Sequence, residues 1–279
     1  MSLILLKDRQ VITLSGKDNF QFLQGLLTND IYQIKDYQLQ YSVMLNARGR
    51  FLYDFFIFLQ DDKIFIDCCS KHCDDIIAKF NIYKLRSEVE IKIDNAIKVY
   101  FSDKIYSSSN CSFKDPRSQN MGYRIYNKEI LDASNDLSQY HKIRIINKIA
   151  EGSWDLTFEK SLILEFAFDK LNAINFDKGC YMGQELTART YHVGEIRKKI
   201  FIANISNISQ ILSSNELQNL SQNADFIKNH QILYNNIEIG IILSAIIDNN
   251  NLIALALIKC SEDLSDKDLK FRDHLIKIN

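Results

Sequence analysis

The chain has 279 residues, of which 46% are hydrophobic and 25% charged, and its formal net charge is -1 at pH 7. This is an ordinary globular composition, with length for one large core or two to three smaller ones. It offers no global electrostatic case for nucleic acid or an anionic membrane, no window resembles the roughly 18 uncharged apolar residues of a membrane span, and MSLILLKDRQ is too soon interrupted by charge to read as a signal peptide.

Apolar runs at 3–6 and 11–14 around Lys7-Asp8-Arg9-Gln10 predict a β-hairpin, closed by Gly16. Asp18 stands at a helix N-cap position, and Phe20, Leu23, Leu26 and Leu27 share one face of the helix that follows. The runs 41–45 and 51–59 flank Asn46-Ala47-Arg48-Gly49, a turn with glycine in the permissive position. A strand is expected over 64–67. Ser70 can cap a helix carrying Ile76, Ile77 and Phe80, and 89–93 alternates as a strand. Helices are expected near 136–149 and 159–171. Residues 205–230 are polar; beyond them, runs at 237–247 and 252–258 read as strands around Asp248-Asn249-Asn250-Asn251. Hairpins mixed with helices, without strict βαβ repetition, predict an α+β fold with antiparallel sheets. The division expected is 1–197 and a small β domain over 198–279.

Of the six cysteines none forms a CxxC pair, which suits free thiols in a reducing, cytoplasmic compartment. Cys68, Cys69 and Cys73 read as a strand end and helix start with buried thiols, because adjacent cysteines ligate one metal poorly. The segment from Phe176 to Lys199, FDKGCYMGQELTARTYHVGEIRKK, holds three of only nine glycines. Gly179 and Gly183 around Cys180 imply a special loop or the close approach of a partner. Lys178, two residues away, would favour the thiolate by its charge. Gln184 and Glu185 add hydrogen-bonding capacity. Spacing alone leaves open a plain turn around a small buried thiol.

KGCYMGQE resembles the K-G-C-[YF]-x-G-Q-E signature of the YgfZ family, relatives of the aminomethyltransferase (T protein) of glycine cleavage. Other blocks are similar too: FLQGLLTND at 22–30, LNARGRFLYD at 45–54, YKLRSEV at 83–89, and Asp115-Pro116-Arg117, which contains the only proline. The continuation ELTARTYHVGEIRKK looks like the branch containing mitochondrial-type iron–sulfur cluster assembly factors. The resemblance covers 10–200 well and the last 80 residues weakly. It implies three parts in a ring, with antiparallel sheets and helices around a central cleft for tetrahydrofolate or another folate derivative, plus a C-terminal β-barrel-like domain.

By the same resemblance, Glu165 holds the pterin, and Asn29, Tyr53 and Asp54 belong to the folate site. Phe166, Phe168, Tyr53 and Trp154 are candidates for walls or equally for core, and Arg189 and Arg197 for the anionic tail or for solvated surface charge. Cys180, on a loop formed by Gly179, Tyr181, Gly183, Gln184 and Glu185, is the expected functional thiol and Lys178 its activator. No resident metal is expected; Cys180 would touch an iron–sulfur cluster only transiently. The implied function is a folate-binding accessory factor for assembly or repair of iron–sulfur proteins, with assembly proteins or client enzymes as partners, no direct nucleic-acid or membrane partner, a monomeric state, and only indirect effects on tRNA modification. The alternative is a folate-dependent aminomethyl or N-methyl transferase. Against it, the acid pair of the aminomethyltransferase hairpin is reduced here to Asp54, with Tyr53 replacing its neighbour.

Overall fold

The aromatic and β-branched runs form strands and the polar stretches between them form turns and short helices. A computed structural model describes residues 3–36, 38–107, 111–260 and 267–278. In chain order its elements are β1 (Leu3–Leu5), β2 (Arg9–Ser15), α1 (Asn19–Gln24), β3 (Gln40–Leu45), β4 (Phe51–Gln60), β5 (Lys63–Cys69), α2 (Cys73–Lys84), β6 (Glu90–Asp94), β7 (Lys98–Ser102), β8 (Ser112–Lys114), β9 (Tyr123–Asn127), α3 (Ser138–Ile146), α4 (Gly152–Asp155), α5 (Gln184–His192), β10 (Lys198–Ser206), α6 (Ser214–Gln222), β11 (Gln231–Tyr234), β12 (Ile237–Asp248), β13 (Asn251–Lys259), β14 (Leu269–Phe271) and β15 (His274–Ile278). There are two open antiparallel sheets, ordered β3-β4-β5-β2-β6 and β1-β7-β9-β8, and a closed barrel ordered β10-β13-β12-β11-β14-β15. The fold is therefore α+β with antiparallel sheets, as the sequence pattern predicts, and its C-terminal part, which the resemblance makes barrel-like, is a closed six-stranded barrel.

The chain divides into two compact units. The first comprises Met1–Leu137, Phe158–Leu162 and Phe168–Arg189; the second comprises Ser138–Thr157, Ile163–Ala167 and Thr190–Asn279. In the first unit, β4 is buried over eight consecutive residues, more than a half-exposed strand allows. Both its faces are covered. Phe55 packs toward Phe80 of α2, which meets Phe22 of α1 edge-on, while Phe58 stacks among Phe65, Phe113 and Tyr126.

The two sheets of this unit are also joined by buried charge. Asp67 on β5 accepts Arg9 Nε at 2.6 Å, Arg124 at 2.8 Å and the Tyr126 hydroxyl at 2.9 Å. Asp115 and Arg117 form a second buried pair, and the Arg124 guanidinium lies 3.6 Å from the centre of the Phe56 ring. Every charge here has a counter-charge, which is the condition for burying it.

Four sequence expectations are corrected, the first being Ser70, which opens a 3-10 turn and does not cap α2, whose N-cap is His72. The 3–14 segment is not a hairpin: β1 pairs with β7, whereas β2 pairs with β5 and β6, so the polar residues between them carry the chain from one sheet to the other. Asp18 does not cap α1; its carboxylate accepts the Glu88 backbone N–H at 2.7 Å. The helix over 159–171 is a single 3-10 turn, Ile163–Phe166, because Glu159 and Ala167 adopt φ of 57° and 58° and Glu159 and Ser161 hydrogen-bond the backbone of Phe51. The Cys68, Cys69 and Cys73 thiols are buried where β5 ends and α2 begins.

The second unit packs its own core inside the barrel, from Ile205, Ile242, Leu252 and Phe271 among others. Its α6 arises in the polar 205–230 stretch through a reciprocal capping box between Ser213 and Glu216.

Replacing Asp67 with Ala should strip Arg9 and Arg124 of their shared carboxylate and lower unfolding free energy by about 3–5 kcal/mol. Urea denaturation checks this; a loss below about 1 kcal/mol would show that the charges are not a structural tie.

Candidate functional site

The KGCYMG loop begins with an Asn-stabilised turn. The Asn175 side chain accepts the backbone N–H groups of Asp177 and Lys178, each at 2.9 Å, and the Asn175 backbone N–H donates to Thr28 O. Thr28 returns a hydroxyl bond to Ala173 O at 2.6 Å and accepts the Val43 N–H.

Lys178 then turns inward. Its ammonium donates to the backbone carbonyls of Gln24 at 2.8 Å, Leu27 at 2.6 Å and Asn29 at 2.8 Å. These carbonyls lie at and just beyond the end of α1, where peptide oxygens lack helical partners. The side chain is only 8% exposed. Burial pulls the lysine down to about 8, opposed by the nearby Asp30 carboxylate. The ammonium also stands 5.2 Å from the centre of the Tyr181 ring, whose hydroxyl is itself pushed up to about 12 by burial.

The loop is held again on its far side. Met182 N–H donates to Gly25 O at 3.0 Å. Gly183 has φ of +77°, and a Cβ there would lie 2.3 Å from Asn46 O and 3.1 Å from Gly49 Cα. Gly49, φ +71°, faces Gly183 O and Leu186 in the same way. Two left-handed glycines thus let the β3–β4 turn and the start of α5 touch backbone to backbone. Gln184 opens α5, its N–H donating to Tyr181 O, and Glu185 stands exposed in the first turn.

Between the two anchors, Gly179 and Cys180 are exposed, and a Cβ on Gly179 would meet nothing within 4 Å. Cys180 is therefore a solvent-facing thiol on a backbone that is fixed on both sides. Such a sulfur is placed to act as a nucleophile or a soft metal ligand. All three ammonium donors are aimed at carbonyls, so Lys178 shapes the loop and has no further N–H for the thiol.

The other expected residues fall into two groups. Asn29 and Asp54 are engaged within the fold. Asn29 donates its amide to Tyr41 O and Asn172 O, and the buried Asp54 carboxylate accepts the Tyr41 hydroxyl at 2.9 Å. Phe168 is fully buried, 5.7 Å from the Tyr41 ring, so it is core and not a ligand wall. Tyr53 differs: its ring is buried beside Phe158 and His72, and its hydroxyl has no hydrogen-bond partner among the described residues. Burial, with the Asp75 and Glu159 carboxylates, pushes that hydroxyl up to about 12. Arg189 is exposed on α5. In the second unit, Glu165 is half-buried on the Ile163–Phe166 turn, Phe166 is buried and Arg197 is exposed. Sequence reasoning missed Thr28, Asn175, His72 and Phe158. An N-x-D pattern before Lys178 could have flagged Asn175; nothing local signals the others.

No protein-family model matches the chain. Among curated proteins it is similar to the iron-sulfur cluster assembly factor IBA57 homolog, mitochondrial, of Mycosarcoma maydis, 34% identical over 218 residues, covering 69% of this chain and 54% of that protein. The homolog of the same name from Dictyostelium discoideum is 31% identical, covering 70% of this chain and 60% of the relative. The iron-sulfur cluster assembly factor IBA57, mitochondrial, of Homo sapiens is 29% identical, covering 70% and 64%. The chain thus spans roughly half to under two thirds of these relatives' own length. Among solved structures it resembles the glycine cleavage system aminomethyltransferase T from Bartonella henselae, with TM-score 0.70 and 11% identity over 99% of this chain and 84% of that one, a likeness of fold. The relatives are mitochondrial by name, and this overturns the expectation of a cytoplasmic protein.

Two substitutions check the loop. Lys178→Met should leave three carbonyls short of a donor and lower stability by about 2–4 kcal/mol, while the pH profile of Cys180 alkylation on the folded protein stays as in wild type. A shifted profile would show that the lysine charge acts on the thiol. Gly183→Ala should destabilise by about 2 kcal/mol or more, whereas Gly179→Ala should stay within about 0.5 kcal/mol of wild type by thermal unfolding.

Proposed function

We propose that the chain is an accessory factor for the assembly or repair of iron–sulfur proteins, of the YgfZ type, which binds reduced folate and works through Cys180. The observation that carries the reading is the exposed thiol between two rigid anchors. The names of the curated relatives support the process. Among the described residues no three His, Cys, Asp or Glu side chains are grouped to hold a metal ion. Cys180 would therefore supply one ligand or one nucleophile, and a cluster it touched would take its other ligands from a partner, an assembly protein or a client enzyme.

For folate, the first unit contributes one observation, at Tyr53. A buried hydroxyl without a partner, walled by Phe158 and His72, suits the edge of a flat ligand with hydrogen-bonding atoms. The family resemblance, taken by itself, gives the paired N–H donors to Glu165, which is half-buried, and an anionic tail to Arg189 or Arg197. The one-carbon transferase alternative loses support, because Asp54, its one remaining acid, is buried and accepts the Tyr41 hydroxyl.

In a strain lacking the protein, Cys180→Ala should fail to restore iron–sulfur enzyme activity that wild type restores; full rescue would remove Cys180 from the mechanism. Calorimetry with tetrahydrofolate should show saturable binding, weakened by about 1.5–3 kcal/mol in Glu165→Ala. No heat at high ligand would end the folate part of the reading and leave the thiol part standing.

A further inference from the structure

The first unit carries a groove of about 880 Å³ between α1 and the end of α2, lined by Phe22, Gly25, Leu26, Tyr83, Leu85 and Arg86 among others. Three features of this groove have no use inside the fold. Leu85 ends α2 with φ of 46°, a backbone region where glycine or asparagine is cheaper, yet its side chain is 85% exposed and gains little burial in return. Gly25 has φ of -79° and ψ of -12°, open to any residue, and a Cβ there would come no nearer than 3.9 Å to another atom. Neither backbone nor packing requires glycine, and alanine would serve a helix end better. Its missing side chain keeps the groove floor open. Arg86 is exposed, with no ion pair among the described residues. The neighbouring Asp18 carboxylate is held by the Glu88 N–H.

A strained exposed leucine, an unneeded glycine and an unpaired cation over an apolar floor of Phe22 and Leu26 have one common complement. It is a chain that lays its backbone over Gly25, inserts an apolar side chain and offers a carboxylate to Arg86. We propose that this groove is a docking site for a segment of a partner protein carrying an apolar residue close to an Asp or Glu. Gly25 also connects the groove to the thiol loop, since its carbonyl accepts the Met182 N–H. A partner seated there lies beside the Cys180 loop. The proposal does not depend on folate or on thiol chemistry.

A phage-displayed library of random short peptides, selected on the full chain, supplies the probe. The enriched consensus should carry Leu, Ile or Phe within four residues of Asp or Glu. The synthetic consensus peptide, followed by fluorescence polarisation, should bind Gly25→Leu and Arg86→Glu at least about tenfold more weakly than wild type, and bind Cys180→Ala unchanged. A peptide with its acid replaced by Lys should regain affinity for Arg86→Glu. Arg86 is exposed, so that variant tests the site even where Gly25→Leu folds poorly, and Gly25→Ala should melt like wild type. The proposal is overturned by an absent consensus, by one without an acid, or by affinity indifferent to Arg86→Glu. It is equally overturned if tetrahydrofolate competes with the peptide, or if sedimentation shows a dimer of this chain that Arg86→Glu dissociates.

Discussion

One buried ammonium, surrounded by three peptide carbonyls, sets the form of the Cys180 loop. Lys178 reaches the oxygens of Gln24, Leu27 and Asn29, which a helix of six residues and the turn after it would otherwise leave to water. A lysine suits this better than an arginine, because its three donors diverge from one nitrogen and can meet three oxygens at different heights. The bonds tie residue 178 to a segment some 150 positions earlier, and the loop inherits the rigidity of α1 and of the sheet beneath it. Burial disfavours the charge and pulls the lysine down, and the carbonyl dipoles are what make it tolerable.

The glycines around the loop divide by what the fold asks of them. Gly49 and Gly183 sit at positive φ with backbone atoms inside Cβ range, so the chain cannot close there with any larger residue. Gly25 and Gly179 meet no such constraint. The first pair builds the platform. The second pair lies on the surface, one in the groove and one beside the exposed sulfur, where the absence of a side chain matters only to something that approaches from outside.

Much of the fold was legible from residue type. The β3–β4 hairpin followed from two largely apolar runs around Asn46-Ala47-Arg48-Gly49, and β12 and β13 followed from apolar runs around an Asx-rich turn. What was not legible depended on distance. Nothing in 3–14 says that β1 belongs to one sheet and β2 to another, since that choice is made by partners near residues 100 and 67. The 159–171 stretch has helical composition, but its residues are held by the start of β4, which overrides local preference. At the site, the special character of the loop could be read from its glycines. The direction of the Lys178 side chain could not, because its acceptors are main-chain oxygens and leave no mark in sequence.

The blocks that carry the family resemblance can now be understood mechanically. FLQGLLTND supplies carbonyls and the Thr28 hydroxyl; LNARG supplies the turn that seats Gly183; KGCYMGQE supplies the lysine, the glycines and the thiol. Asp115-Pro116-Arg117 joins them at one remove: Pro116 O accepts the Asn172 amide, and Asn172 O accepts that of Asn29. Most of these residues bond to one another, and Asn29 and Asp54, expected to touch a ligand, are among them. A motif of this kind specifies geometry first. Among the side chains that the assembled bonds leave facing solvent is the thiol of Cys180.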